Sequence, residues 1–333
     1  MVGRTYMILN IVIVACAVGT AALTAWVRSA ALNAGMLDRP NERSSHVSPT
    51  PRGGGLSIVA VVTLATCVLA MPGLVSSQLL LAVLLPFLAI AVVGWQDDKG
   101  GLSVRLRLLV HVATAVWCVA WSGLAQVFGP ALIFIVIFAL VWAINLFNFM
   151  DGIDGIAASQ GAFLGGAGVL LLWPRSGTGN VEMMAVTAGA CLGFLVWNWS
   201  PARIFMGDIG SGALGFVLAA VPLVGTWRSK AEIWPWIILW GAFLVDASVT
   251  LARRIIRGAV IHQAHRTHAY QRLARRWNSH RSVVAVFVVI NVMWLLPWAM
   301  WASSHPASGA LAALAALSPL VALSIAAGAG TPE

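Results

Sequence analysis

Ala131-Leu-Ile-Phe-Ile-Val-Ile-Phe-Ala-Leu-Val-Trp-Ala-Ile144 runs straight into Asn145-Leu-Phe-Asn-Phe-Met-Asp-Gly-Ile-Asp-Gly-Ile-Ala157. With its flanks, the first part is long enough to cross a bilayer, which takes about 20 apolar residues. Another apolar run follows. Between them lie Asn145, Asn148, Asp151 and Asp154, with Gly152 and Gly155. Carboxylates at a membrane edge are costly unless something pairs with them. A divalent cation prefers oxygen ligands and is the natural partner. If the second half is helical, Asp151 and Asp154 share a face at i and i+3. The competing reading is a polar loop that ends in a helix cap.

The 333-residue chain is 60% hydrophobic and 9% charged, whereas a soluble domain carries about 25% charged residues. The expected fold is therefore all-α, a polytopic membrane helix bundle forming one transmembrane domain over 1–333. Cys16, Cys67, Cys118 and Cys191 all fall in apolar runs, which argues against a disulfide framework or a zinc site. Sixteen tryptophans suit two interfacial belts. Eleven spans are expected, near 7–27, 53–71, 77–95, 106–125, 130–147, 156–173, 182–198, 210–226, 234–252, 282–302 and 308–328, or ten without the last. The first is read as a retained span rather than a signal peptide.

Orientation follows from Lys and Arg. In the eleven-span reading, sixteen of the twenty basic residues fall in the loops after spans 1, 3, 5, 7 and 9. These loops, about 28–52, 96–105, 148–155, 199–209 and 253–281, are expected on the cytoplasmic side, with the N-terminus outside. They also hold nearly all the unusual polar residues.

The first loop contains Arg43, His46 and Arg52 before Gly53-Gly-Gly55. Consecutive glycines ahead of a helix expose N–H groups that cradle phosphate; the alternative is a basic loop on anionic lipid. The second holds Asp97-Asp98-Lys99, then Arg105 and Arg107. Two adjacent carboxylates disfavour joint ionisation unless a cation compensates, which suits a metal ligand, a proton acceptor, or one of each. The fourth reads Arg203-Ile-Phe-Met-Gly-Asp208-Ile-Gly-Ser211. Asp208 can reach a metal held by other loops, Arg203 can hold phosphate, and Phe205 either stacks on a base or packs against lipid or core. The fifth has eight arginines and four histidines, among them His265, Arg266 and His268. A polybasic lipid-facing segment explains its arginines but not its spaced histidines. Asp246 lies inside the ninth span and is read either as functional or as a brace for Arg253 or Arg254. His111, in the fourth span, reads as a hydrogen-bonded core residue.

Five carboxylates with many arginines and histidines at one membrane face suit a Mg²⁺-assisted reaction between two phosphates, whose charges must be neutralised and whose groups must be aligned. A phosphate monoester has a second pKa near 6 and needs little help from a base at about pH 7.

These motifs resemble the polyprenyl-phosphate N-acetylhexosamine-1-phosphate transferases, also called glycosyltransferase family 4. The resemblance runs through all five loops, from about 38 to 275. Asn148-Phe-Met-Asp-Gly-Ile-Asp-Gly-Ile-Ala157 is its most specific motif. Asp97-Asp98 is similar to the family's aspartate pair, Phe205-Met-Gly-Asp208 to its metal-binding loop, and the His265–His268 region falls where its histidine loop stands. The resemblance implies a phosphotransferase that moves a sugar-1-phosphate from a UDP-N-acetylamino sugar to undecaprenyl phosphate, releasing UMP. It implies Mg²⁺, with Mn²⁺ as a substitute, held by Asp208 and in part by Asp151. Asp97 or Asp98 would face the lipid phosphate. Asn148, Asp151 and Asp154 would contact nucleotide and metal, Phe205 would stack on uracil, and His268 and its neighbours would contact pyrophosphate. Expected partners are the lipid bilayer and these two substrates, with a homodimer allowed and no nucleic acid. The expected location is the bacterial inner membrane.

Asp38, Pro40, Asn41, Arg43 and His46 resemble the hexosamine branch. The peptidoglycan-precursor branch has lysines near the places of Ser44 and Ser45, and another where glycine stands after the second loop's pair. The fifth loop's His-Arg-Thr-His-Ala-Tyr-Gln resembles enzymes that initiate O-antigen or related surface polysaccharides, often with 6-deoxy amino sugars. The alternatives are a peptidoglycan-precursor transferase and an ion or Mg²⁺ transporter, whose carboxylates would gather near the bilayer midplane. A polybasic scaffold would leave four aspartate-bearing sites unexplained. A CDP-alcohol phosphotransferase would need Ala-Arg after Asp-Gly, which neither Asp151 nor Asp154 provides.

Overall fold

The computed structural model describes residues 2–38, 49–126, 128–173, 179–224, 233–259 and 266–332, with side chains from residue 7 onward. All eleven apolar segments are helical. They are α1 (Val2–Asn33), α2 (Gly55–Ala70), α3 (Ser77–Gly100), α4 (Val104–Ser122), α5 (Pro130–Met150), α6 (Ile156–Leu172), α7 (Asn180–Asn198), α8 (Asp208–Leu223), the pair α9 (Ile233–Leu239) and α10 (Gly241–Ile256), α12 (His280–Ser304) and α13 (Pro306–Ala326). Seven described helices are long and apolar enough to cross a membrane. An eighth crossing results if α9 and α10, bent by 75°, form one span. The other three, α2, α6 and α8, have at most 17 residues. At 1.5 Å per residue they reach about 25 Å, short of the roughly 30 Å hydrocarbon layer. The expected eleven spans thus correspond to eleven apolar helical segments, of which seven or eight pass the length test.

Three boundaries differ from expectation in ways that bear on the site. Helix α3 continues through Asp97 and Asp98 and stops at Gly101, whose φ of 74° ends the helix. Helix α5 carries Asn145 and Asn148 and ends at Met150. Residues 151–155 are then a turn, so Asp151 and Asp154 do not share a helical face. Gly155, at φ 79°, turns the chain into α6. The fifth loop contains a helix of its own, α11 (Ala269–Trp277). Helices α3 and α12 each widen into a π-helical turn, Leu80–Leu84 and Ile290–Leu295, just before Pro86 and Pro297. Proline removes an N–H from the ladder, and the wider turn accommodates the loss.

The chain groups into two compact units. The first contains Met1–Asp38, Thr50–Asn148 and Ala157–Ser229. Here α1 lies against α7 through Gly189-Ala-Cys-Leu-Gly193, where a methyl at either glycine would strike the backbone of Ile13 or Ala17. Small residues four apart let two membrane helices approach closely. The indole N–H of Trp197 donates to Ala21 O at 2.9 Å, and Thr24 and Ser57 hydroxyls pair at 2.7 Å. A short antiparallel ribbon, β1 (Leu37–Asp38) with β2 (Thr50–Pro51), brings the chain to α2.

The second unit includes Phe149–Ile156 and Lys230–Glu333. Phe243 of α10 meets Phe287 of α12 edge-on at 6.4 Å. The Trp294 indole donates to Ala316 O of α13 at 2.9 Å. After α13 the chain lies along α10 and α11, where Arg253, Arg257 and Arg272 donate to the carbonyls of Ala329, Gly330 and Thr331. Ala269, Ala327 and Ala329 pack together beneath them.

Candidate active site

In the first unit, the end of the first loop and the fourth loop run side by side. The Phe205 N–H donates to Pro51 O at 2.8 Å, and the Gly54 and Gly55 N–H groups donate to Phe205 O and Met206 O. This ladder places Asp208 at the first position of α8. A methyl on Gly94 of α3 would run into the Asp208 backbone, so only glycine there lets α3 come this close.

Asp98, 6% exposed, is spent on that junction. Its two carboxylate oxygens accept the N–H groups of Asp208 (3.1 Å) and Ile209 (3.2 Å). Those donors open α8, where no intrahelical acceptor exists and the helix dipole favours negative charge. Gly207, at φ 75°, passes over the same carboxylate, which a side chain would hit. Arg52 reaches the Asp98 carbonyl.

Asp97 points elsewhere. Its carboxylate accepts the Leu102 N–H and pairs with Arg107, whose same nitrogen lies 3.4 Å from Asp208 Oδ2. Asn148 donates to Ser211 Oγ at 3.4 Å, and its side chain also hydrogen-bonds the Asp208 carboxyl. Although a third of the Asp208 side chain remains open, its carboxyl is pushed up to about 7, first by burial, then by the hydrogen bond to Asp97 and the charge of Asp98. Asp97 and Asp208 share one guanidinium, that of Arg107, while Asp98 beside them is held by backbone N–H groups with Arg52 nearby.

Among the described residues no three His, Cys, Asp or Glu side chains converge as a ready-made metal shell. The Asp97–Asp208 pair nevertheless fits Mg²⁺, which keeps several waters and binds through one or two carboxylates plus substrate phosphates. Beside this cluster, Arg203 is exposed and Phe205 is half-buried. The Arg28 and Arg203 guanidinium groups lie 5.9 and 5.7 Å from the Trp197 ring centre.

In the second unit, Asp154 faces His280. Its Oδ2 lies 3.3 Å from the ring Nδ1, and its N–H reaches the same nitrogen at 3.4 Å. Asp151 is half-buried on the turn before it. His268 is 5% exposed, with its ring 3.3 Å from Asp246 Oδ1. Arg266 is half-buried, and its carbonyl accepts from Arg275 at 2.9 Å. Tyr270 is fully buried; burial first, then the negative charges of Asp246 and Asp151, holds its phenol well above the usual range, so it stays protonated.

Of the residues singled out in the sequence, Arg52, Asp97, Asp98, Asn148, Arg203, Phe205 and Asp208 lie in the first unit. Asp151, Asp154, Arg266 and His268 lie in the second. Arg43, His46 and His265 fall outside the described residues. Sequence reasoning assigned no site role to Arg107 or His280. Arg107 had a signal in its place two positions after Arg105, just beyond the aspartate pair. His280 had none, being one histidine among many arginines. Asp246 does not serve as the brace considered for Arg253, which donates to Ala329 O instead.

The chain as a whole is similar to known proteins. Residues 80–226 match the model of glycosyl transferase family 4. The chain is 31% identical over 287 residues to a probable undecaprenyl-phosphate N-acetylglucosaminyl 1-phosphate transferase of Bacillus subtilis, covering 81% of this chain and 78% of that protein. It is 30% identical over 315 residues to a decaprenyl-phosphate N-acetylglucosaminephosphotransferase of Mycolicibacterium smegmatis, covering 81% and 76%. It is 32% identical over 247 residues to a phospho-N-acetylmuramoyl-pentapeptide-transferase of Synechococcus, covering 66% of each.

Proposed function

Since the chain belongs to glycosyl transferase family 4 and is a sugar-phosphate transferase, we propose that it transfers a sugar-1-phosphate from a UDP-N-acetylamino sugar to undecaprenyl phosphate, beginning O-antigen or another surface polysaccharide. An oxygen of the lipid phosphate bonds to the phosphorus that carries the sugar. The bond from that phosphorus to the bridging oxygen breaks, and UMP leaves with the electron pair.

The observation that most supports this reading is the meeting of Asp97, Arg107 and Asp208 at the head of α8. Asp208 and Asp97 would hold Mg²⁺, and the ion would neutralise charge on the transferring phosphoryl group. Arg52 and Arg203 would bind phosphate oxygens, Phe205 would stack on uracil, and Asn148 and Asp154 would order the nucleotide. Relatives named for N-acetylglucosamine support an N-acetylhexosamine donor. The departures in the first and fifth loops favour the hexosamine branch over the peptidoglycan-precursor branch.

The test is UMP release by purified protein with undecaprenyl phosphate, Mg²⁺ and a panel of UDP sugars that includes 6-deoxy forms and UDP-N-acetylmuramoyl-pentapeptide. UMP is expected with an N-acetylhexosamine donor, and none with the pentapeptide donor, without the lipid phosphate, or after chelation. Release with the pentapeptide donor alone would move the chain to the peptidoglycan branch, and silence across the whole panel would sink the proposal.

We infer that the site faces the cytoplasm from a bacterial inner membrane; the reading is supported by the loops carrying it, which hold most of the basic residues. A cysteine put at Arg105 is expected to react with a membrane-impermeant maleimide in inverted vesicles and not in intact spheroplasts. The opposite labelling would reverse the orientation.

A further inference from the structure

Asp246 lies on α10 and is 3% exposed. A carboxylate at that depth needs partners, and it finds them at the start of α11. Its Oδ1 accepts the Ala269 N–H at 2.9 Å, the Thr250 hydroxyl at 3.2 Å, and faces the His268 ring nitrogen at 3.3 Å. Its Oδ2 accepts the Tyr270 N–H at 2.9 Å. The aspartate therefore does for α11 what a capping side chain does for any helix, except that it comes from another helix.

This cap fixes the backbone of Tyr270, whose ring then runs to the turn bearing the paired aspartates. The phenol donates to Phe149 O at 2.9 Å. The Gly152 N–H and the Gln271 side chain hydrogen-bond the same phenol oxygen. Phe149 and Gly152 bracket Met150 and Asp151, so one hydroxyl closes the turn as donor on one side and acceptor on the other. There is no room for a methyl on Gly152, which would strike that oxygen. At the far end of the turn, His280 meets both the N–H and the carboxylate of Asp154.

We propose that Tyr270, set by Asp246, is a positioning residue that holds the Asp151–Asp154 turn in its working shape. This rests on the proposed transferase reading, in which the family resemblance gives Asp151 and Asp154 contacts with the donor.

Tyr270→Phe keeps the ring and removes only the clamp. Hydrogen–deuterium exchange of the peptide spanning 148–156 is expected to quicken about tenfold. The kcat for UMP release is expected to fall roughly tenfold or more, since small displacements of reacting groups are costly, while the melting temperature shifts little. Unchanged exchange overturns the proposal, as does faster exchange with kcat intact. If Tyr270→Phe unfolds, Gly152→Ala alone presses the same contact from the other side and is expected to quicken exchange over 148–156 and to lower kcat, with unchanged exchange again overturning the proposal. Where Tyr270→Phe folds, Gly152→Ala is expected to lose less activity in that background than in the wild type, because the clash with the hydroxyl is gone and the nearest atoms left are Gln271 Nε2 at 3.0 Å and the ring carbon at 3.2 Å. Losses that multiply independently also overturn it. Wild-type protein that releases no UMP would sink the functional reading instead, and the exchange comparison would still decide the clamp.

Discussion

Asp208→Asn is expected to reduce UMP release by about a thousandfold or more, the scale of a lost electrostatic or metal contact in the transition state. It is expected to leave the fold intact or slightly firmer. Asp208 shares its surroundings with Asp97 and Asp98; burial first, then the hydrogen bond to Asp97 and the negative charge of Asp98, hold its carboxyl up to about 7. Replacing it with a neutral side chain of the same size relieves that repulsion. Its own N–H still donates to Asp98, so α8 keeps its start. The signature is therefore activity lost with stability kept, read by UMP release beside thermal unfolding in detergent. Turnover within tenfold of wild type would remove Asp208 from the essential ligands.

Membrane character was legible because every apolar run is a helix, and composition alone excluded a soluble domain. The number of crossings was not. Apolar content is similar in α2 and in α5, but α2 has 16 residues against 21, and only a folded chain shows where a run stops being helical. Residue types in the site were legible too, since carboxylates between apolar runs need a reason to be there. What hid was which atom answers which. Arg107 and Asp208 stand 101 positions apart, and Tyr270 and Phe149 stand 121 apart. No periodicity records such pairings. Tyr270 looks like any aromatic in a basic loop until its hydroxyl is placed against a backbone carbonyl.

The aspartate pair shows this limit most sharply and yields the second large effect. From the sequence, Asp97 and Asp98 are interchangeable candidates to face the lipid phosphate. In the structure Asp98 is consumed by two backbone N–H groups of α8, while Asp97 faces Arg107 and, through it, Asp208. Asp98→Ala strands two donors at a buried helix start. A lost cap costs about 1 kcal/mol, and a buried unsatisfied donor about 1–3, so a loss of roughly 2–4 kcal/mol of stability is expected together with most activity. Asp98→Asn keeps one acceptor and should recover part of both. Asp97→Asn breaks an ion pair whose arginine is 32% and whose aspartate is 10% exposed, and keeps an oxygen for the Leu102 N–H. Such partly solvated pairs contribute about 1 kcal/mol or less, so its stability should barely move while activity falls by about a hundredfold. Thermal unfolding of the three variants beside their UMP release separates the two roles. If Asp97→Asn unfolds the protein and Asp98→Ala does not, the assignments are reversed, and Asp98 becomes the carboxylate that meets the substrate.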